Sequence, residues 1–494
     1  MSVNGQMPNS ITDESLLTSS VDDRYGESDQ ESVNSETLTM TNSESSPLIS
    51  GLKHNISIPS DRYYFVYMIF YLLGIGSLLP FNFFSNARQY FVFKLRSNVS
   101  VSETDWIDEP SQYNNLQSMF VPYLTMAAMV PNVLFMFINT ALTKILILWT
   151  RIIIAIIAMI VMFTLTVILT KIDTDGWQLV FFGVTIVTIF IMNAGSAVLQ
   201  GGIFGLSSMF PKEYTQAVMG GMGMGGVIAA VANVIAIWLS EGPMDSGFGY
   251  FLTAELVIIT AMAGYLSLPC SKFARYFMAG TFRTHHLSIN EQPHSEIGAS
   301  GETLIPITTG CRQLMIVFKK IWIYASCVFL VFLVTLSCFP AITSRIFSTD
   351  LDNDNPSAWA SKYFIPVTCF LLFNVTDLVG RTLAGLMQWP HEGSILLPVL
   401  CILRVVFIPL FLLCNILPHN QLPQYVAFHN DYAPILIMLF FGMSNGYLGT
   451  LCMMYGPRVL DPENMEVAGS MMSLFLSLGL AMGSALSFLL ISIV

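Results

Sequence analysis

Apolar stretches of transmembrane length, separated by short polar connections, recur along the chain from residue 63 to residue 492. A helix rises about 1.5 Å per residue, so roughly 20 apolar residues cross the hydrocarbon core of a bilayer. Eleven segments meet that length, near 63–87, 118–141, 146–170, 178–207, 217–239, 249–269, 319–340, 363–387, 394–416, 433–456 and 466–492. The pattern predicts an all-α polytopic membrane protein with eleven transmembrane helices. An odd number places the termini on opposite sides. Residues 1–60 are rich in Ser, Thr, Asn and acids and lack an apolar signal core, so no cleavable signal peptide is expected.

Composition agrees: 54% of the 494 residues are hydrophobic and 11% are charged. The acidic tail supplies −7 of the net charge of −11 and reads as solvated and disordered. Little acidity remains for the rest, so net charge points to no nucleic-acid partner. Residues 271–318 hold His285, His286 and His294 among Ser, Gly and Pro and read as a cytosolic linker. The expected organisation is a tail (1–60), a six-helix bundle (61–270), the linker, and a five-helix bundle (319–494). A 6+5 division invites comparison with transporters built from two rocking bundles, although no repeat is visible between the halves.

Orientation follows from Lys and Arg in short loops. With a cytosolic N-terminus, 15 of the 21 basic residues fall on the inner side, Arg381 and Arg404 among them. The C-terminus is then extracellular or lumenal. The connection from about 88 to 117 lies outside and carries the glycosylation sequon Asn98-Val99-Ser100. All eight cysteines lie in or beside predicted spans, with no Cys-x-x-Cys pair. Neither a disulfide framework nor a metal site is indicated.

The stretch FNVTDLVGRTLAG (373–385) puts Asp377 and Arg381 inside an apolar run. A charge at the bilayer centre costs about 2.5–3.5 kcal/mol on insertion scales, so it should face the bundle interior and have a partner. Four residues apart on a helix, the two share a face and can pair. They can be a structural ion pair, or a fork of fixed donors plus an acceptor suited to paired hydroxyls on a polar, uncharged solute. Pro80 in GIGSLLPFNFF (74–84) should interrupt the first helix, with Asn82 able to hydrogen-bond inside the bundle. Gln200 in NAGSAVLQGGIFGLSS (193–208) reads as a bridge between helices or a ligand contact. The glycines of MGGMGMGG (219–226) read as close packing, because they follow no strand and lack a Lys-Ser/Thr ending.

Absences narrow the class. All seven histidines lie outside the spans, and no hydrolase signature occurs, so no enzyme is expected. No filter motif suggests a channel. No cofactor is implied.

After the tail, nearly the whole chain resembles the equilibrative nucleoside transporter family. GIGSLLPFNFF, LQGGIFGLSSMFP, FNVTDLVGR, SNGYLGTLCMMYGP (444–457) and GLAMGSALSF (479–488) carry the resemblance. It implies a major-facilitator-like 6+5 arrangement and passive, alternating-access transport of nucleosides such as adenosine and uridine. By position it also implies that Arg381 and Asp377 meet the ribose hydroxyls and Gln200 the base edge. Met129, Phe370, Asn374 and Leu480 would complete the pocket, with Asn82 near the outer gate. Phe81 stands at a gate position where the family usually has Trp, keeping an aromatic face without the indole donor. Ser196 occupies a position that is Gly in some relatives.

The long tail and residues 357–378 look most like the endolysosomal branch. Glu44, Leu48 and Ile49 match an acidic dileucine pattern read by sorting adaptors, so the plasma membrane and the late endosomal or lysosomal membrane both stay open. Glu255 and Asp377 are the in-span acids able to sense protons, which keeps a proton-coupled carrier as the alternative to a uniporter. A non-transporting receptor is the third possibility.

Overall fold

The structure is a computed structural model that describes residues 59–96, 114–143, 145–239, 243–278, 307–352, 357–416, 427, 428 and 430–493. The N-terminal half holds α1 (Phe65–Asn86), the short α2 (Arg88–Lys94), α3 (Asn115–Ala141), α4 (Leu148–Lys171), α5 (Gln178–Ser208), α6 (Lys212–Leu239) and α7 (Pro243–Ser267). The C-terminal half begins with α8 (Ile307–Cys338). Two π-helical segments, Trp359–Tyr363 and Ile365–Leu371, lead into α9 (Leu372–Met387). Next, α10 (Leu396–Leu403) continues through a 3-10 turn into α11 (Phe407–Leu412), followed by α12 (Tyr432–Tyr455) and α13 (Met465–Ile493). Ile58–Val494 clusters as one unit.

Among the described residues, nine helices are long and apolar enough to cross a membrane by length and composition. The other two predicted spans fall on shorter apolar helices, Arg62–Leu78 and Leu396–Leu412. Two sequence expectations need correction. α1 runs past Pro80 without a break. α1 packs closely along α6 in the turns before the proline: a Cβ on Gly74 would strike the Val218 carbonyl, and one on Gly221 would strike that of Tyr71. α8 starts at Ile307, inside the expected linker, and residues 272–278 are helical as well, with Phe273 and Phe277 packed on Phe210. The expected span near 363–387 is present as Ile365–Met387, and it starts with π geometry around Pro366, which lacks the amide needed for a regular ladder.

The same packing logic joins α9 to α12. A Cβ on Gly380 would meet the Met443 carbonyl, and one on Gly446 the Asp377 carbonyl. Small residues let these backbones approach closely, as expected where lipid gives helices no hydrophobic drive to associate. The glycine-rich stretch of α6 therefore works as a packing surface. One face lies on α1; the other, at Gly223 and Gly226, lies against Arg381 and Asn374 of α9.

Candidate functional site

Arg381 and Asp377 lie one turn apart on α9, and each side chain is 5% exposed. Arg381 Nε donates to Asp377 Oδ2 at 2.6 Å. Its Nη1 donates to the Met219 carbonyl on α6 at 2.9 Å. Nη2 has no hydrogen-bond partner among the described residues. Asp377 Oδ1 accepts from Asn445 Nδ2 on α12 at 2.7 Å. The expected pair thus forms, and both carboxylate oxygens are engaged.

The network continues beyond what the sequence singles out. Asn445 Oδ1 accepts from Thr335 Oγ1 on α8 at 2.7 Å, and Thr335 Oγ1 accepts from Arg404 Nη2 at 2.9 Å. Arg404 is 2% exposed, bonds the Phe441 carbonyl and Ser444, and stacks its guanidinium 5.0 Å from the Phe441 ring. It therefore sits inside the bundle, which corrects its assignment to the inner loops. Arg381 is likewise internal, and discounting both leaves the charge bias pointing the same way. An arginine inside the apolar run 394–416 is the same kind of signal that drew attention to Arg381. Thr335 and Asn445 carry no charge and give no comparable signal.

Gln200 is buried on α5, and its Nε2 has no hydrogen-bond partner among the described residues. The helix-bridging role open to it is not filled through that atom. An unmet buried donor costs about 1–3 kcal/mol, which a ligand acceptor could recover. Asn374 Nδ2 donates to the Phe370 carbonyl at 2.8 Å, and Asn374 packs on Gly226. Phe370 is half-buried in the π-helical stretch, edge-on to Phe339 at 5.7 Å. Asn82 is half-buried near Gly225, while Met129 on α3 and Leu480 on α13 are half-buried. Ser196 is buried and donates to the Ser77 carbonyl of α1 at 2.5 Å. Glu255 is elsewhere: half-buried on α7, it accepts from Thr164 of α4 at 2.5 Å. Phe81 lies on α1, at the turn after Pro80. Asn98, Glu44, Leu48 and Ile49 lie outside the described residues.

A second polar cluster ties the halves together. Arg151 of α4 donates to Glu466 of α13 at 2.5 Å and to Asn139 of α3 at 2.8 Å. Close by, Ser470 donates to the Gly201 carbonyl at 2.9 Å and Ser208 to the Met465 carbonyl at 2.6 Å. Arg458 adds a bond to the Phe210 carbonyl at 2.5 Å. These contacts gather where α5 ends and α13 begins.

A family model described as nucleoside transporter matches residues 186–492. Equilibrative nucleoside transporter 1 of Rattus norvegicus is 38% identical over 459 residues, covering 88% of this chain and 99% of that protein. Equilibrative nucleoside transporter 2 of the same organism is 36% identical, covering 87% and 98%. Equilibrative nucleoside transporter 3, again from rat, is 35% identical, covering 87% and 90%. Among solved structures, the proton:xylose symporter XylE of the major facilitator superfamily aligns with a TM-score of 0.56 at 12% identity, covering 85% of this chain and 87% of that one. That likeness concerns the fold alone.

Proposed function

The chain belongs to the equilibrative nucleoside transporter family, and within that family we propose that Arg381, Asp377 and Gln200 hold the nucleoside while two bundles alternate around it. The protein is an integral membrane protein that carries nucleosides facilitatively, and it is not an enzyme. Our reading of the site rests on one observation above all. Two buried polar side chains, Arg381 and Gln200, retain donors that no described residue satisfies. A guanidinium edge suits vicinal ribose hydroxyls, and a carboxamide offers both donor and acceptor to a base edge. Asn374, Phe370, Met129, Leu480 and Asn82 would shape the remaining walls, with Phe81 at the outer gate.

We take the full architecture to be eleven spans in a 6+5 arrangement, with a cytosolic N-terminus. On that topology the Arg151–Glu466 cluster closes the cytosolic end. Alternating access then requires breaking it. Glu44, Leu48 and Ile49 would direct the protein to endolysosomal membranes through sorting adaptors.

Reconstituted into proteoliposomes, the protein should equilibrate radiolabelled adenosine and uridine without accumulating them. An imposed pH gradient should leave the end point unchanged. Concentrative uptake driven by that gradient would replace the uniporter with a proton-coupled carrier.

A further inference from the structure

Three cysteines that the mechanism does not use converge inside the C-terminal half. Cys327 of α8, Cys401 of α10 and Cys452 of α12 place their sulfur atoms within 4.8 Å of one another. All three are buried and free. They are far apart in sequence, which is why their spacing carries no metal signature. We propose that they form a thiolate site for a soft monovalent cation of the Cu(I) class.

Ligand number and softness carry the assignment. A metal with sulfur bonds of about 2.3 Å at the centre of three thiolates holds them about 4 Å apart, so the observed spacing needs only a small contraction. Zinc in structural sites takes four ligands, and no histidine or carboxylate joins this group among the described residues. Soft thiolates suit Cu(I), zinc and iron–sulfur clusters, and the last two ordinarily take four protein ligands, which leaves Cu(I) for a set of three. Charge points the same way. Arg404, one turn beyond Cys401, is buried and hydrogen-bonds only neutral groups. A buried cation in no salt bridge among the described residues favours anionic sulfur nearby. On binding, S–H bonds give way to S–Cu bonds and each displaced proton leaves to buffer. The copper enters as Cu(I) and stays Cu(I), so no oxidant or reductant is required.

The test is anaerobic titration of the purified full-length protein with Cu(I) against bicinchoninate as competing chelator. One Cu(I) per chain should be retained, with a sulfur-to-copper charge-transfer band and only sulfur scatterers in X-ray absorption. Cys327→Ser and Cys452→Ser should each weaken binding by more than about tenfold, while Cys270→Ser, at an exposed position, should leave it unchanged. Nucleoside uptake by each variant reports whether it is folded. No retained Cu(I) in the wild-type protein would overturn the proposal, as would nitrogen or oxygen scatterers, or retention of Zn(II) in place of Cu(I). The wild-type measurements stand even if a variant misfolds.

Discussion

Among the described residues, the buried polar cluster around Arg381 and the one around Arg151 differ in what they connect. Arg381, Asp377, Asn445, Thr335 and Arg404 are linked through α8, α9, α12 and the turn after α10, all in the C-terminal half. Among the described residues their hydrogen bonds to the other half all involve Arg381 and α6: Nη1 donates to the Met219 carbonyl and sulfur, and Gln216 Nε2 donates to the Arg381 carbonyl at 3.4 Å. Arg151, Asn139 and Glu466 instead join α3 and α4 to α13. Motion of one half against the other can spare the first cluster and must disturb the second. A cluster kept intact can present a fixed binding edge; one that spans the halves can act as a latch.

The largest expected effect breaks the first cluster. Asp377→Ala leaves Arg381 without its counter-charge and Asn445 without its acceptor. Removing one partner of a buried pair typically costs about 3–5 kcal/mol. A marked fall in the thermal midpoint in detergent, together with loss of uptake, is expected. Retention of the wild-type midpoint would show that the pair contributes little to the fold.

A smaller effect is expected at the latch. Glu466 is 18% exposed, so Arg151→Ala leaves a carboxylate that water can reach. Uptake should fall by about tenfold, equivalent to a shift of about 1.4 kcal/mol in the balance of states, with less loss of thermal stability than Asp377→Ala. The exchange Arg151→Glu with Glu466→Arg should recover part of the rate. If the exchange recovers none, the pair does not act as a latch.

The smallest effect on transport lies outside both clusters. Leu48→Ala with Ile49→Ala should raise the surface-labelled fraction and leave uptake per surface molecule unchanged. An unaltered distribution would remove the sorting role.

The contrast also explains what could be read from the sequence. Long apolar runs locate the helices because spanning a bilayer demands them. Asp377 and Arg381 are visible because charges are rare and costly in such runs. Thr335 and Asn445 are not visible, since uncharged polar residues are common in spans and often satisfy themselves locally. Thr376, for example, bonds the Leu372 carbonyl one turn back. The cysteine triad needs three helices brought together, which no local pattern encodes. Pro80 misleads because the pattern shows the missing amide, whereas α1 continues as one helix to Asn86.

The division of labour between Arg381 and Gln200 is tested most directly by competition with a panel of nucleosides and sugar-modified analogues, corrected for folded protein at the membrane. Arg381→Lys keeps the charge but loses the planar fork, so affinity should fall across all ribonucleosides and least for analogues lacking ribose hydroxyls. Gln200→Ala should discriminate by base, with losses of about 1–3 kcal/mol where a base hydrogen bond goes unmet. Two distinct fingerprints are the expected result. If both variants lose activity only in proportion to folded protein, these side chains are packing elements and the nucleoside binds elsewhere.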